Sequence, residues 1–261
     1  MKLQYRMIFA FVALLLAVSL ACGGSPTAPA NPSPPDNPQQ PTLAPITEPT
    51  QEQPQEQPQE QPPPQNQQFF TEEFDAPLSD AWSILTVTDS DKADPEKVIV
   101  EPKNGKLVWD FESEYVYYYL FYEGFSYTDV KVEVRADNRG KNKNNVSLIC
   151  HYDPEVGWYE FNITNGGLYN IYYAEVDSDG RIGYNLIANG GSKEIKQGKD
   201  INEYSITCSG NKLSLTINGK EVNAVTEKKF ALREGGVGMS VSAFEVLPIQ
   251  IEMDWFKVSQ P

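Results

Sequence analysis

From residue 105 onward, apolar and polar positions alternate with a period of two almost without interruption. Leu107, Trp109 and Phe111 alternate with Lys106, Val108 and Asp110, and Val130, Val132 and Val134 alternate with Asp129, Lys131, Glu133 and Arg135. Val146, Leu148 and Cys150 oppose Ser147 and His151. Tyr159, Phe161 and Ile163 oppose Trp158, Glu160, Asn162 and Thr164, and Leu213, Leu215 and Ile217 oppose Ser214, Thr216 and Asn218. Turn chemistry separates the runs, at Lys103-Asn104-Gly105, Asn165-Gly166-Gly167, Asp177-Ser178-Asp179-Gly180, Ser209-Gly210-Asn211 and Asn218-Gly219. Strict alternation between turns is the signature of strands with one buried face, and no window carries a helical stripe. Ten or more such strands predict an all-β chain of two packed antiparallel sheets, a sandwich or jelly roll.

The pattern stops before residue 69. Residues 23–68 hold 14 of the 20 prolines, no Lys, Arg or aromatic residue, and three copies of Gln-Glu-Gln-Pro. Such a segment cannot bury enough apolar surface to offset the entropy of ordering, so it is expected to be a disordered spacer. In polyproline II its 46 residues would reach on the order of 140 Å. Ahead of it, Lys2 and Arg6 precede an apolar run from Met7 to Val18 and then Ser19-Leu20-Ala21-Cys22, the layout of a secretory signal. The expected organisation is therefore a signal peptide over 1–21, Cys22 and a Pro/Gln-rich linker over 22–68, and one β-sandwich over 69–261.

The Ala21-Cys22-Gly-Gly-Ser junction resembles a bacterial lipoprotein lipobox, which implies a lipid on Cys22, a membrane anchor and an envelope or cell-surface location. Ser19 stands where that pattern has a branched apolar residue, and Ser19-x-Ala21 also fits ordinary signal cleavage. Beyond residue 68 the charges number 19 basic against 31 acidic, about −12. That field repels phosphate backbones, so nucleic acid is not an expected partner. The single histidine, His151, excludes a His-rich zinc site.

Three segments carry a further likeness: Val146–Tyr152 with Trp158–Ile163, Tyr204–Val222, and Gly235–Met239 with Met253–Val258. With Phe70–Asp75 and Trp82, they resemble concanavalin A-like lectin/glucanase domains, of the laminin G-like and 3-keto-disaccharide-hydrolase-type kind. That resemblance implies a jelly roll, and the glycan-binding expectation rests on the domain's aromatic residues, on which the apolar faces of sugar rings stack. Rim calcium is the cofactor it implies, and Asp89, Asp91 and Asp94, or Asp177 and Asp179, are the clustered carboxylates that could supply oxygen ligands. Glucanases of this fold carry Glu-x-Asp-x-x-Glu. Glu252-Met-Asp254-Trp-Phe-Lys257 matches two positions, but Lys257 replaces the acid.

Cys150 and Cys208 both fall on apolar faces. In an exported chain they are expected to form a disulfide closing 58 residues, the alternative being two buried thiols. Trp158 shares the polar side of its strand with Glu160 and Asn162, so its ring is expected to be exposed or covered only by a loop. His151, on the polar side of the preceding run, is expected beside it. Trp158, His151 and Glu160 are thus the candidate carbohydrate-contacting residues, and no catalytic residue is assigned. Tyr115–Tyr122 is aromatic on both faces, so one row, either Tyr115/Tyr117/Tyr119 or Tyr118/Tyr122, must lie outside the main core or under a loop. The functional expectation is non-catalytic binding of a polysaccharide or glycan, with a structural or protein-interaction module, or a glycan-cleaving hydrolase, as alternatives.

Overall fold

The computed structural model describes residues 68–179 and 181–261. Cys22, the signal and most of the linker lie outside the described residues. Among the described residues there are fifteen strands and one short 3-10 turn at Pro95–Lys97. The strands are β1 (Phe70–Glu72), β2 (Trp82–Thr88), β3 (Val98–Pro102), β4 (Leu107–Phe111), β5 (Val116–Tyr127), β6 (Asp129–Asn138), β7 (Asn144–Asp153) and β8 (Gly157–Thr164). They continue with β9 (Leu168–Val176), β10 (Ile182–Gly191), β11 (Ile201–Ser209), β12 (Lys212–Ile217), β13 (Lys220–Thr226), β14 (Gly235–Ala243) and β15 (Ile249–Ser259).

They form two antiparallel sheets. One runs β13-β12-β11-β6-β15-β4-β3, with β1 added on β15; the other runs β10-β9-β8-β7-β14-β5-β2. The period-two runs fall on these strands, with Trp109, Phe111, Val132, Leu148, Phe161, Leu215 and Ile217 buried between the sheets. Asn104 (φ 55°) with Gly105 (φ 69°), and Asn218 (φ 49°) with Gly219 (φ 81°), close the β3–β4 and β12–β13 hairpins in left-handed backbone. Asn-Gly supplies that conformation with little strain.

Cys150 on β7 and Cys208 on β11 are bridged, with Cα atoms 6.6 Å apart, so the disulfide staples one sheet to the other through the core. Among the described residues, the paired strands, the bridge and one apolar core form a single compact unit.

Candidate functional site

The seven-stranded sheet carries a second apolar layer on the face turned away from the core. Tyr119 and Phe121 of β5, Ile149 of β7, Trp158 of β8 and Ala174 of β9 are buried together there, flanked by Leu85, Tyr117, Tyr152 and Ile182. This places the outer tyrosine row of β5: Tyr117 and Tyr119 lie outside the main core, while Tyr118, Leu120 and Tyr122 face into it. Tyr184 of β10 bonds through its hydroxyl to that of Tyr119, although β10 and β5 stand five strand positions apart. In a flat sheet that separation would be about 24 Å, beyond the combined reach of two tyrosines. The sheet is curled, and this outer face is its concave side.

Glu160 lies at the centre, fully buried. Its Oε1 accepts from Ser147 Oγ (2.8 Å) and Asn162 Nδ2 (3.4 Å); its Oε2 accepts from Trp158 Nε1 (3.2 Å) and Tyr119 OH (3.4 Å). Four donors fill the carboxylate's acceptor positions. Burial nevertheless pushes its pKa above the usual carboxylate value, outweighing those donors.

A sign follows for stability. A folded pKa above the unfolded value means that Glu160 stabilises the fold below pH about 4.5, and that this contribution is lost as pH rises through the folded pKa. Glu160→Gln removes the titration. The stability of wild type relative to E160Q is therefore expected to fall as pH rises above about 4.5. Urea midpoints of both proteins across that range measure it, and a constant difference would contradict a buried, destabilised carboxylate.

The expectation of an exposed Trp158 ring is not met. Its relative exposure is 1%, because Tyr119, Phe121 and Tyr152 close over it edge-on at centroid distances of 5.7, 5.3 and 6.0 Å. These are side chains of β5 and β7 rather than of a loop. His151 is also buried and is not beside Trp158. A bulge breaks the β7 register after Cys150, and His151 takes a left-handed φ of 52°. Its ring turns toward Tyr159, with Nε2 3.1 Å from the Thr128 carbonyl. Burial lowers its pKa from the usual imidazole value. The bulge reverses the alternation, and Tyr152 takes the concave position instead, stacked on Phe121 at 3.7 Å. Sequence reasoning missed Tyr152 for this reason. Gly157 at φ 135° and the Gly235-Gly236 pair facing the bulge were the available signals.

The structure brings Trp158 and Glu160 together and leaves His151 apart. Tyr117, Tyr152, Tyr172 and Tyr184 are the aromatic side chains of this face that reach solvent, Tyr184 at 38% exposure and 5.1 Å from Tyr172. Between them lies a polar strip: Asn170, Asn162 and Ser147 side by side on β9, β8 and β7, then Ser240 on β14. The hydroxyls of Ser240 and Ser242 are buried without a protein partner. No Lys or Arg occupies a concave position of these strands among the described residues.

Glu252 and Asp254 lie on β15 of the other sheet. Glu252 pairs with Lys106 (3.0 Å) and Arg139 (3.5 Å), and Asp254 with Lys106 and Arg135, so both belong to an ionic network on the outer face. The calcium candidates are used locally. Asp94 accepts from the Glu96 amide and pairs with Lys97, and Asp177 accepts from the amides of Asp179 and Arg181. Asp89 and Asp91 sit in the loop after β2. Among the described residues, no three or more His, Cys, Asp or Glu side chains are grouped to hold a metal ion.

No family model matches this chain. No curated protein matches it either. Solved structures do. A β-1,3-1,4-glucanase (lichenase) from a mouse hindgut metagenome aligns with a TM-score of 0.54 at 14% identity, covering 74% of this chain and 99% of that one. A Bacillus subtilis protein of unknown function with a galectin-like fold gives 0.55 at 11%, covering 73% and 94%. Bacillus licheniformis β-glucanase gives 0.50 at 13%, covering 74% and 98%. The fold is the concanavalin A-like jelly roll. At such identities the likeness carries the fold alone, and what the concave face does is argued from its own residues.

Proposed function

We propose that the domain binds a polysaccharide on its concave face without cleaving it. The observation that carries this reading is the row of partly exposed tyrosines, Tyr117, Tyr152, Tyr172 and Tyr184, set over an amide and hydroxyl strip with no basic side chain. Sugar rings present apolar faces that stack on such rings, and their hydroxyls pair with the half-buried Asn170 amide and the tyrosine hydroxyls; the lack of Lys and Arg disfavours anionic glycans. Trp158 and Glu160 act beneath this layer, fixing Tyr119 and through it Tyr184. Hydrolysis requires two carboxyl groups flanking the scissile bond, about 5–9.5 Å apart. The buried layer has one, Glu160, with its acceptor positions filled.

In the same proposal the domain is exported and held at the envelope by lipid on Cys22, with residues 23–68 as its spacer. Because two structural neighbours are named as β-glucanases, β-glucans head the panel to be tested. Residues 68–261 are expected to be depleted from solution by one glycan class, with no release of reducing ends. Tyr172→Ala should weaken retention about tenfold, equivalent to about 1.4 kcal/mol, while changing stability by less than about 1 kcal/mol. Repeating the assay with calcium and with chelator tests the metal. Release of sugar would establish a hydrolase, and no retention on any glycan would leave a structural or protein-binding module.

A further inference from the structure

Each sheet ends in two strands whose outer edges pair with nothing among the described residues, and the two sheets treat those edges differently. In the eight-stranded sheet, β13 begins Lys220-Glu221, with Lys220 paired to Glu194 at 2.7 Å, and β3 ends Glu101-Pro102. Charge and proline are the usual means of keeping an edge from recruiting another strand. In the seven-stranded sheet, β10 reads Ile-Gly-Tyr-Asn-Leu-Ile-Ala-Asn-Gly-Gly, ten residues without a charge or a proline. On a domain of about −12, this is a long uncharged edge. It is also apolar on one face, where Ile182, Tyr184 and Leu186 (55% exposed) lie opposite Val176, Ala174 and Tyr172 of β9.

The residues flanking β10 say what fits it. Asp177 and Asp179 are exposed before the strand, moderated by Arg181, and Lys193 and Lys196 are exposed after it. An antiparallel copy of the same strand sets the acidic end of each chain beside the lysines of the other, twice, about a two-fold axis. The other uncharged edge, β2, lacks this property: Asp80 precedes it and Asp89 and Asp91 follow, so self-pairing there sets acid against acid.

We propose that β10 is a self-pairing edge, through which two copies of this chain join antiparallel into one continuous fourteen-stranded sheet. The two concave faces then lie side by side across the junction, which would let one polysaccharide strand meet both.

The test is sedimentation equilibrium of residues 68–261 over a wide concentration range, with two single variants. Wild type is expected to reach twice the monomer mass and stop there. Leu186→Lys, at an exposed position, should weaken dimerisation about a hundredfold while leaving the unfolding midpoint in place, because it sets like charges across the junction. Ile84→Lys, on the β2 edge, should dimerise like wild type. A wild-type protein that stays monomeric at every concentration overturns the proposal, as does a dimer that survives Leu186→Lys. Growth beyond the dimer, or loss of association in Ile84→Lys, overturns it too, because either means head-to-tail pairing of β2 with β10.

Discussion

Trp158→Ala is expected to destabilise the domain by about 3–5 kcal/mol, the range for truncating a large buried aromatic side chain. Three causes combine. The ring is 1% exposed, so its apolar area is withdrawn from water and the truncation leaves a cavity. Tyr119, Phe121 and Tyr152 lose the edge of the indole they pack against. Glu160 loses the donor at 3.2 Å from its Oε2, so a buried carboxylate is left less satisfied. Urea unfolding with the disulfide intact measures the change. A loss under about 1 kcal/mol would be the cost of an exposed residue, and would return Trp158 to the role of a free stacking platform. Glycan retention by whatever fraction of the variant stays folded separates that platform role from support of the tyrosines above.

How legible this was depends on which face is considered. The inner faces of β4, β6, β8 and β12 could be read position by position, because one buried side and one wet side is what period two encodes. The outer face of the seven-stranded sheet could not, since alternation says that two faces differ and not what covers the second. Trp158 beside Glu160 and Asn162 reads as a wet face. It is dry because the sheet curls until β10 meets β5 through Tyr184 and Tyr119, and curvature is a property of all seven strands at once. The run Tyr115–Tyr122 held the clue. Aromatic residues on both faces of one strand require a second apolar layer, and Trp158 is what Tyr119 and Phe121 pack against.

His151 failed for a more local reason. One extra residue in a bulge exchanges the two faces for everything beyond it, so Tyr152 and not His151 belongs to the concave surface. The glycines that admit the bulge are plain in the sequence. Gly235 approaches it so closely that a Cβ there would stand 2.5 Å from the His151 carbonyl carbon. Their partner across the sheet is fixed only when β14 takes its place between β7 and β5.

Removing the Cys150–Cys208 bridge, as the double Ala variant, is expected to cost about 4 kcal/mol on the chain-entropy model for a closed loop of 58 residues. That is a large part of the roughly 5–15 kcal/mol by which domains are typically stable. The bridge acts mainly on the unfolded chain, where it keeps β7 and β11 from separating, and this gives it a signature that a packing defect lacks. Without it the unfolded state expands and exposes more surface, so the urea m-value should rise while the midpoint falls. Both sulfurs are fully buried, so the native fold should resist mild reductant and lose the bridge only on unfolding. Equal midpoints for wild type and variant under oxidising conditions would mean that the two cysteines are separate thiols. A lower midpoint with an unchanged m-value would assign the loss to the core around Cys150, and the staple between the sheets would then carry little of the stability.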